Sequence, residues 1–151
     1  MKYDVSIREI QGAKRLILSL ISIQPRSFGR FEAIIDTGSP RTIISASDSL
    51  KLAIPFSIYS ESECLRGVGK GNIPTVEINK FKLVLKSLEG SSKNIEMKVI
   101  TPNVPRLRKE AQKEFENALN LPSIIGLDFL ENNRLKLLVN LPESIAYLED
   151  V

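Results

Sequence analysis

Histidine is absent from the 151 residues, which removes Ser-His-Asp and Cys-His catalysis, His-ligated zinc and the side chain that most often serves as a general base near neutral pH. Acid–base chemistry therefore falls to carboxylates, Lys or Tyr. Cys64 is the only cysteine, so no intrachain disulfide and no cysteine cluster for a metal can form. A reducing, cytoplasmic setting fits that usage. Long apolar runs are missing too. Leu16 to Ile23 is interrupted by Ser19 and Ser22 and is followed by no small-residue cleavage site, so it reads neither as a signal-peptide core nor as a membrane span. Charge of one sign is scarce: 21 basic residues face 18 acidic ones, for a net charge of +3. The densest basic group, Arg106-Leu107-Arg108-Lys109, runs directly into Glu110, Glu114 and Glu116, which is the pattern of a solvated helix face rather than of a nucleic-acid interface.

What is present is an ordinary globular composition, 42% apolar and 26% charged, with enough length for a core of its own. One domain over residues 1–151 is expected. The stretch that organises it is Phe31-Glu32-Ala33-Ile34-Ile35-Asp36-Thr37-Gly38-Ser39-Pro40. Ala33 to Ile35 read as the end of a buried strand that delivers the Asp36 carboxylate into a turn, and Gly38 lets backbone N–H groups approach that carboxylate. Two plain alternatives compete. Asp36 caps the turn and does nothing else, or it is a nucleophile for phosphoryl transfer. The second is set aside because position 38, where the common phosphohydrolase motif carries a second Asp, is Gly.

Around this stretch the chain reads as β with one long helix. Met1 to Ile10 is a loose edge strand, and Leu16 to Ile23 a strand whose change of parity predicts a bulge. The turn Pro25 to Gly29 then makes a hairpin with Arg30 to Ile35. Thr42 to Ser45 is a short strand and Ala46 to Leu52 a helical turn. Gly67, Gly69 and Gly71 mark a tight hairpin tip. A phosphate-cradling loop is not read there, because Lys70 is followed by Gly71 and a strand comes next. Val76 and Ile78, then Phe81, Leu83 and Leu85, then Ile95, Met97 and Val99 alternate with charged residues as half-buried antiparallel strands, with a turn at Glu89 to Ser92. Pro105 to Leu119 has helical spacing, with Asn103 as its cap and Pro105 in the first turn. Leu127 to Asn133 is a short helix, and Leu135 to Val139 and Ser144 to Leu148 are the last strands. Ile124-Ile125-Gly126 is an apolar strand ending at a glycine that can pass close behind another backbone.

Three motifs in this order resemble the retropepsin-like aspartic peptidases, the retroviral-type proteases and their cellular relatives. They are Ile34-Ile35-Asp36-Thr37-Gly38-Ser39 with Thr42 following, the glycine-rich Gly67-Val68-Gly69 between two strands, and Ile124-Ile125-Gly126 before Leu127-Asp128-Phe129-Leu130. The resemblance spans about Leu16 to Leu148. It implies an all-β fold: a closed barrel of antiparallel strands with a flap hairpin, one inserted helix and a short C-terminal helix. Pro40 and Arg41 stand where viral relatives carry acidic residues, the helix from Pro105 to Leu119 is an insertion, and the chain ends do not match the interleaved terminal strands of viral dimers.

The resemblance further implies an aspartic endopeptidase without metal or cofactor, acting on a peptide or protein substrate as a homodimer. One chain supplies one Asp36, and the chemistry uses two carboxylates about 3 Å apart, which cannot both ionise, so one serves as base and the other as acid. By the same resemblance Thr37 joins the two active-site loops, Gly38 and Ser39 support them, Thr42, Ile125 and Gly126 pack behind them, and Gly67, Val68 and Gly69 close over the substrate. The alternative is a catalytically inactive binding or scaffold module on the same fold.

Overall fold

Alternating apolar and charged residues build the frame. The computed structural model describes residues 1–66 and 72–151, those at 60–66 and 72 by their backbone alone. Val76, Ile78, Phe81, Leu83 and Leu85 are buried along one strand, β6 (Asn72–Lys86), where the spacing had suggested two. Its shift of parity is a bulge between Ile78 and Phe81 in the ladder with β7 (Ser92–Pro102). Leu83 faces Ile95, Phe81 faces Met97 and Ile78 faces Val99, so both strands press one apolar side inward.

The hairpin of β3 (Ala13–Gln24) and β4 (Ser27–Ile35) keeps one register from Ile17↔Ile34 to Gln24↔Ser27, without the expected bulge. The buried row simply changes from apolar to polar, Leu18 and Leu20 giving way to Ser22 and Gln24. Burying those groups is tolerable because Gln24 Nε2 donates to Ser22 Oγ at 3.0 Å and to the Lys82 carbonyl at 2.9 Å.

The larger sheet runs β5 (Ser60–Arg66), β6, β3, β4, β8 (Ser123–Ile125), with β7 also on β6 and β2 (Ser6–Ile10) also on β3. It does not close into the barrel implied by the resemblance. The opening between β8 and β7 is spanned by one residue, Ile43, through isolated bridges to Ile124 and Ile100. Sequence explains why: the chain is still turning at Pro40 and Arg41, and Ser45 already caps helix α1 (Ala46–Lys51). The expected strand from Thr42 to Ser45 has no room to be more than a bridge.

A second sheet joins the two ends of the chain, in the order β1 (Lys2–Asp4), β10 (Ile145–Asp150), β9 (Leu135–Asn140). The expected N-terminal strand is thus divided, β1 serving this sheet and β2 the other. Asp150 closes it, accepting from the Tyr3 hydroxyl at 2.9 Å and pairing with Lys93 Nζ at 2.8 Å and the N-terminal amine at 3.3 Å. The Lys93 bond holds the Asp150 carboxyl below the usual carboxylate range against the opposing effect of burial. Burial, and then Asp150, push the Tyr3 phenol up to about 12. A lowered carboxylate stabilises the fold fully above its unfolded value of about 4 and loses that contribution as pH falls through its folded value. The raised phenol contributes below about pH 10 and ceases to as pH climbs through its folded value. Asp150→Asn is expected to cost roughly 1–2 kcal/mol at neutral pH and to flatten the acid limb of a melting-temperature profile; an unchanged limb would contradict the assignment.

The helix expected over Pro105 to Leu119 breaks at Ala111, whose φ is −147° and ψ 67°, into α2 (Val104–Glu110) and α3 (Gln112–Leu119). Asn103 caps it as expected. The break folds Leu107, Phe115 and Ala118 around Val104 and Ala46 in a small core apart from the main one. α4 (Leu127–Asn132) sets Phe129 into the main core beside Leu18, Phe31, Phe81 and Leu148. Among the described residues no helix is long and apolar enough to cross a membrane.

Candidate active site

Strand β4 buries Phe31, Ala33 and Ile35, and the next residue, Asp36, is exposed where the chain leaves the sheet. β8 lies parallel to it, from Ala33↔Ser123 to Ile35↔Ile125. The Asp36 amide extends that pairing by donating to the Ile125 carbonyl at 3.0 Å. The chain then turns sharply. Ser39 N donates to the Asp36 carbonyl at 3.0 Å, and Gly38 N donates to Asp36 Oδ1 at 2.9 Å. A Cβ on Gly38 would stand 3.1 Å from that same oxygen. Asp36 thus caps its turn through one oxygen, while Oδ2 has no partner among the described residues and the side chain is open to solvent.

The loop is held from behind by the residues after β8. Leu127 N donates to the Ser39 carbonyl at 2.9 Å, and Asp128 N to the Pro40 carbonyl at 3.3 Å. Ser39 Oγ donates to the Arg41 carbonyl at 2.8 Å. Thr42 is fully buried. Its Oγ1 donates to Asp128 Oδ1 at 2.7 Å and accepts from Gly126 N at 3.2 Å, while its own amide donates to Asp128 Oδ2 at 3.1 Å. Gly126 is pressed onto the loop so closely that a Cβ there would lie 2.5 Å from the Arg41 carbonyl oxygen. Ile43 then exchanges 2.8 Å backbone bonds with Ile124 on the far side of β8. One segment, residues 33 to 43, thus grips β8 on both edges.

A hydroxyl and carboxylate triangle ties the same strand to α1. Ser45 N donates to Ser123 Oγ at 2.8 Å, Ser123 Oγ donates to Asp48 Oδ2 at 2.6 Å, and Asp48 N donates back to Ser45 Oγ at 3.0 Å. The buried hydroxyls of Ser45 and Ser123 are each satisfied, so the network stiffens the region.

Comparison with solved structures gives two matches that decide the architecture. A retropepsin-like aspartic protease from Rickettsia conorii superposes with a TM-score of 0.60 at 12% identity, covering 99% of this chain and 91% of that one. The EIAV protease in complex with the inhibitor HBY-793 superposes with a TM-score of 0.51 at 15% identity, covering 86% of this chain and 98% of that one. This chain has the retropepsin-like fold. No family model and no curated protein matches its sequence; the fold stands on shape and connectivity.

Within the retropepsin-like fold, Asp36, Thr37, Gly38 and Ser39 form the turn, with Thr37 exposed at its tip, and Thr42, Ile125 and Gly126 pack directly behind it. Gly67, Val68 and Gly69, where the resemblance implies a flap, lie outside the described residues. Sequence reading places Asp128 in the third motif and assigns it no role of its own. The signal was there, an acidic side chain in the first turn of α4 just after Gly126, but its partner Thr42 is 86 positions away. Among the described residues no group of three Cys, Asp or Glu side chains could hold a metal.

Thr42→Val keeps the shape and deletes the hydroxyl, which leaves Gly126 N unpaired and Asp128 short of a donor. A loss of about 1–3 kcal/mol is expected in urea unfolding at unchanged m-value, with Thr42→Ser much closer to wild type. Equal losses for both would assign the effect to packing instead.

Proposed function

We propose that the protein is an aspartic endopeptidase that hydrolyses peptide bonds as a homodimer. The observation that carries this is the Asp36 carboxylate: exposed, with one oxygen unpartnered among the described residues, on a loop whose backbone is fixed by β8 and α4. In the pair, the ionised Asp36 takes a proton from a water lying between the two carboxylates. The oxygen of that water adds to the scissile carbonyl carbon, and the protonated Asp36 of the second copy stabilises the developing oxyanion. Collapse of the adduct breaks the C–N bond, a proton passes to the leaving nitrogen, and one proton remains shared by the pair for the next turn. Thr37 joins the two loops across the two-fold axis, and Val68 and Gly69 close over the substrate.

A second copy is required because the sequence holds one Asp-Thr-Gly. Support for it comes from the end of the chain. β9 pairs only with β10 among the described strands, and the hairpin between them exposes Leu138, Val139, Leu141 and Ile145, an edge and an apolar surface that a monomer gains nothing by showing. The terminal strands themselves are occupied inside one chain, consistent with a dimer built otherwise than by interleaved ends. Cys64 as the lone thiol suits a reducing, cytoplasmic location.

The test is mass spectrometry of a denatured protein mixture after incubation with wild type and with Asp36→Asn. New peptide ends are expected with wild type alone, most at acid to mildly acid pH and fewer on the alkaline side as the shared proton is lost. No new ends at any pH, from a protein shown to dimerise, would favour a binding or scaffold role; a yield still climbing from neutral to alkaline pH would point to another mechanism.

A further inference from the structure

Away from Asp36, the outer side of α1 faces α2 across a groove of about 660 Å³. Its apolar surface comes from Leu50, Ala53, Ile54 and Phe56 on one wall and from Val104 and Pro105 on the other. The polar groups within it are already engaged. Ser49 shares a hydrogen bond with the buried hydroxyl of Thr101, and Asn103 caps α2 by accepting from Arg106 N. A small polar ligand would therefore find little to bond, whereas apolar side chains would find a preformed surface.

Cations outnumber carboxylates among the described residues of the rim. Arg106, Arg108 and Lys109 stand along it with one carboxylate among the described lining residues, that of Glu110, which Arg106 holds at 3.0 Å. Arg108 lies with its guanidinium 5.1 Å from the centre of the Phe115 ring, which fixes it in place. Lys109 has no ion pair among the described residues. The α1 wall contributes no carboxylate at all. The break at Ala111 creates this arrangement, because it leaves α2 as about two turns whose Leu107 faces inward while its cations line the opening.

We infer that this groove is a docking surface for a partner polypeptide, an amphipathic segment whose apolar side chains enter between α1 and α2 while its acidic residues meet Arg108 and Lys109. Nucleic acid fits less well. Phe56 is the one aromatic among the described lining residues, too little for a stacking platform, and the cations sit on one wall of an apolar slot instead of following a backbone track. The surface is separate from the Asp36 loop, and its reading does not depend on peptidase activity.

The probe is a fluorescein-labelled amphipathic peptide built from Glu and Leu at helical spacing, titrated against the full chain and followed by fluorescence anisotropy and by backbone amide shifts. Saturable binding is expected, weakening as salt is raised, with shifts confined to α1, α2 and the turn at Ala53. The double substitution Arg108→Glu with Lys109→Glu should weaken it by roughly tenfold, and Leu50→Ser should weaken it without altering its salt dependence. Both sites are exposed, and an unchanged melting temperature would show that each variant folds. The proposal is overturned if a matched Lys and Leu peptide binds as well, if the shifts fall elsewhere, or if a single-stranded oligonucleotide or a second copy of the chain occupies the groove in place of the acidic peptide.

Discussion

Asp36→Asn will remove peptide hydrolysis and leave the protein folded. The amide has nearly the shape of the carboxylate, and its Oδ1 can still accept from Gly38 N as Asp36 does at 2.9 Å, so the turn keeps its one local bond. What disappears is the base. General-base assistance accounts for about 10²–10⁴ in rate, and turnover should fall by roughly 10³-fold or more when both copies carry the amide. The same variant tests the need for two chains. With excess Asp36→Asn chains and demonstrated subunit exchange, activity per wild-type chain should fall as mixed dimers replace wild-type pairs, since each mixed dimer holds one carboxylate. Unchanged activity per wild-type chain, or hydrolysis by a verified monomer, would end the two-carboxylate mechanism for this protein.

Gly126→Ala should be the most damaging of the single-methyl changes. Its φ of −94° and ψ of −175° are open to any residue, so the requirement is space rather than conformation. The added carbon would fall 2.5, 2.6 and 2.8 Å from the oxygen, carbon and nitrogen of Arg41, all backbone atoms of the loop that carries Asp36. Either α4 retreats, pulling Asp128 from Thr42, or the loop does, carrying Asp36 with it. A cost of about 3 kcal/mol is expected in thermal or urea unfolding. Activity should drop by about 10²-fold even in molecules that remain folded, because displacements near 1 Å have that effect on positioned groups. Gly29→Ala is the matched control: its methyl would meet the tip of the Leu52 side chain at 2.8 Å, which can rotate aside. Equal damage at both positions would show that tightness alone, and not the Arg41 backbone, sets the cost.

Much of this arrangement could be read in the residues because it is local. Ile34-Ile35-Asp36-Thr37-Gly38 specifies strand, turn and carboxylate within a few positions, and the alternation through β6 and β7 specifies half-buried strands directly. What could not be read depends on where distant parts meet. The undivided helix failed at Ala111, a residue with no helix-breaking tendency, because packing Leu107 and Phe115 against Ala46 outweighs propensity there. The bulge expected in β3 failed because Ser22 and Gln24 are buried as a mutually bonded pair, which an apolar count takes for exposed positions. The closed barrel failed for want of residues between Arg41 and Ser45. Asp128 stands in the third motif, but its hold on Thr42 could not be read because a carboxylate that holds another loop has no local spacing to betray it.

The grip of residues 33 to 43 on β8 has a consequence for the order of events during synthesis. The strand that fills this grip begins at Ser123, and Thr42 and Asp128 are 86 positions apart, so most of the chain must exist before the loop can be locked. Contacts of such separation form late, since the intervening chain must first be brought together. A chain emerging from the ribosome therefore carries its carboxylate long before it can aim it. The timing confines the aimed carboxylate to chains already extended past Asp128, and withholds it from shorter nascent chains standing beside unfolded polypeptide.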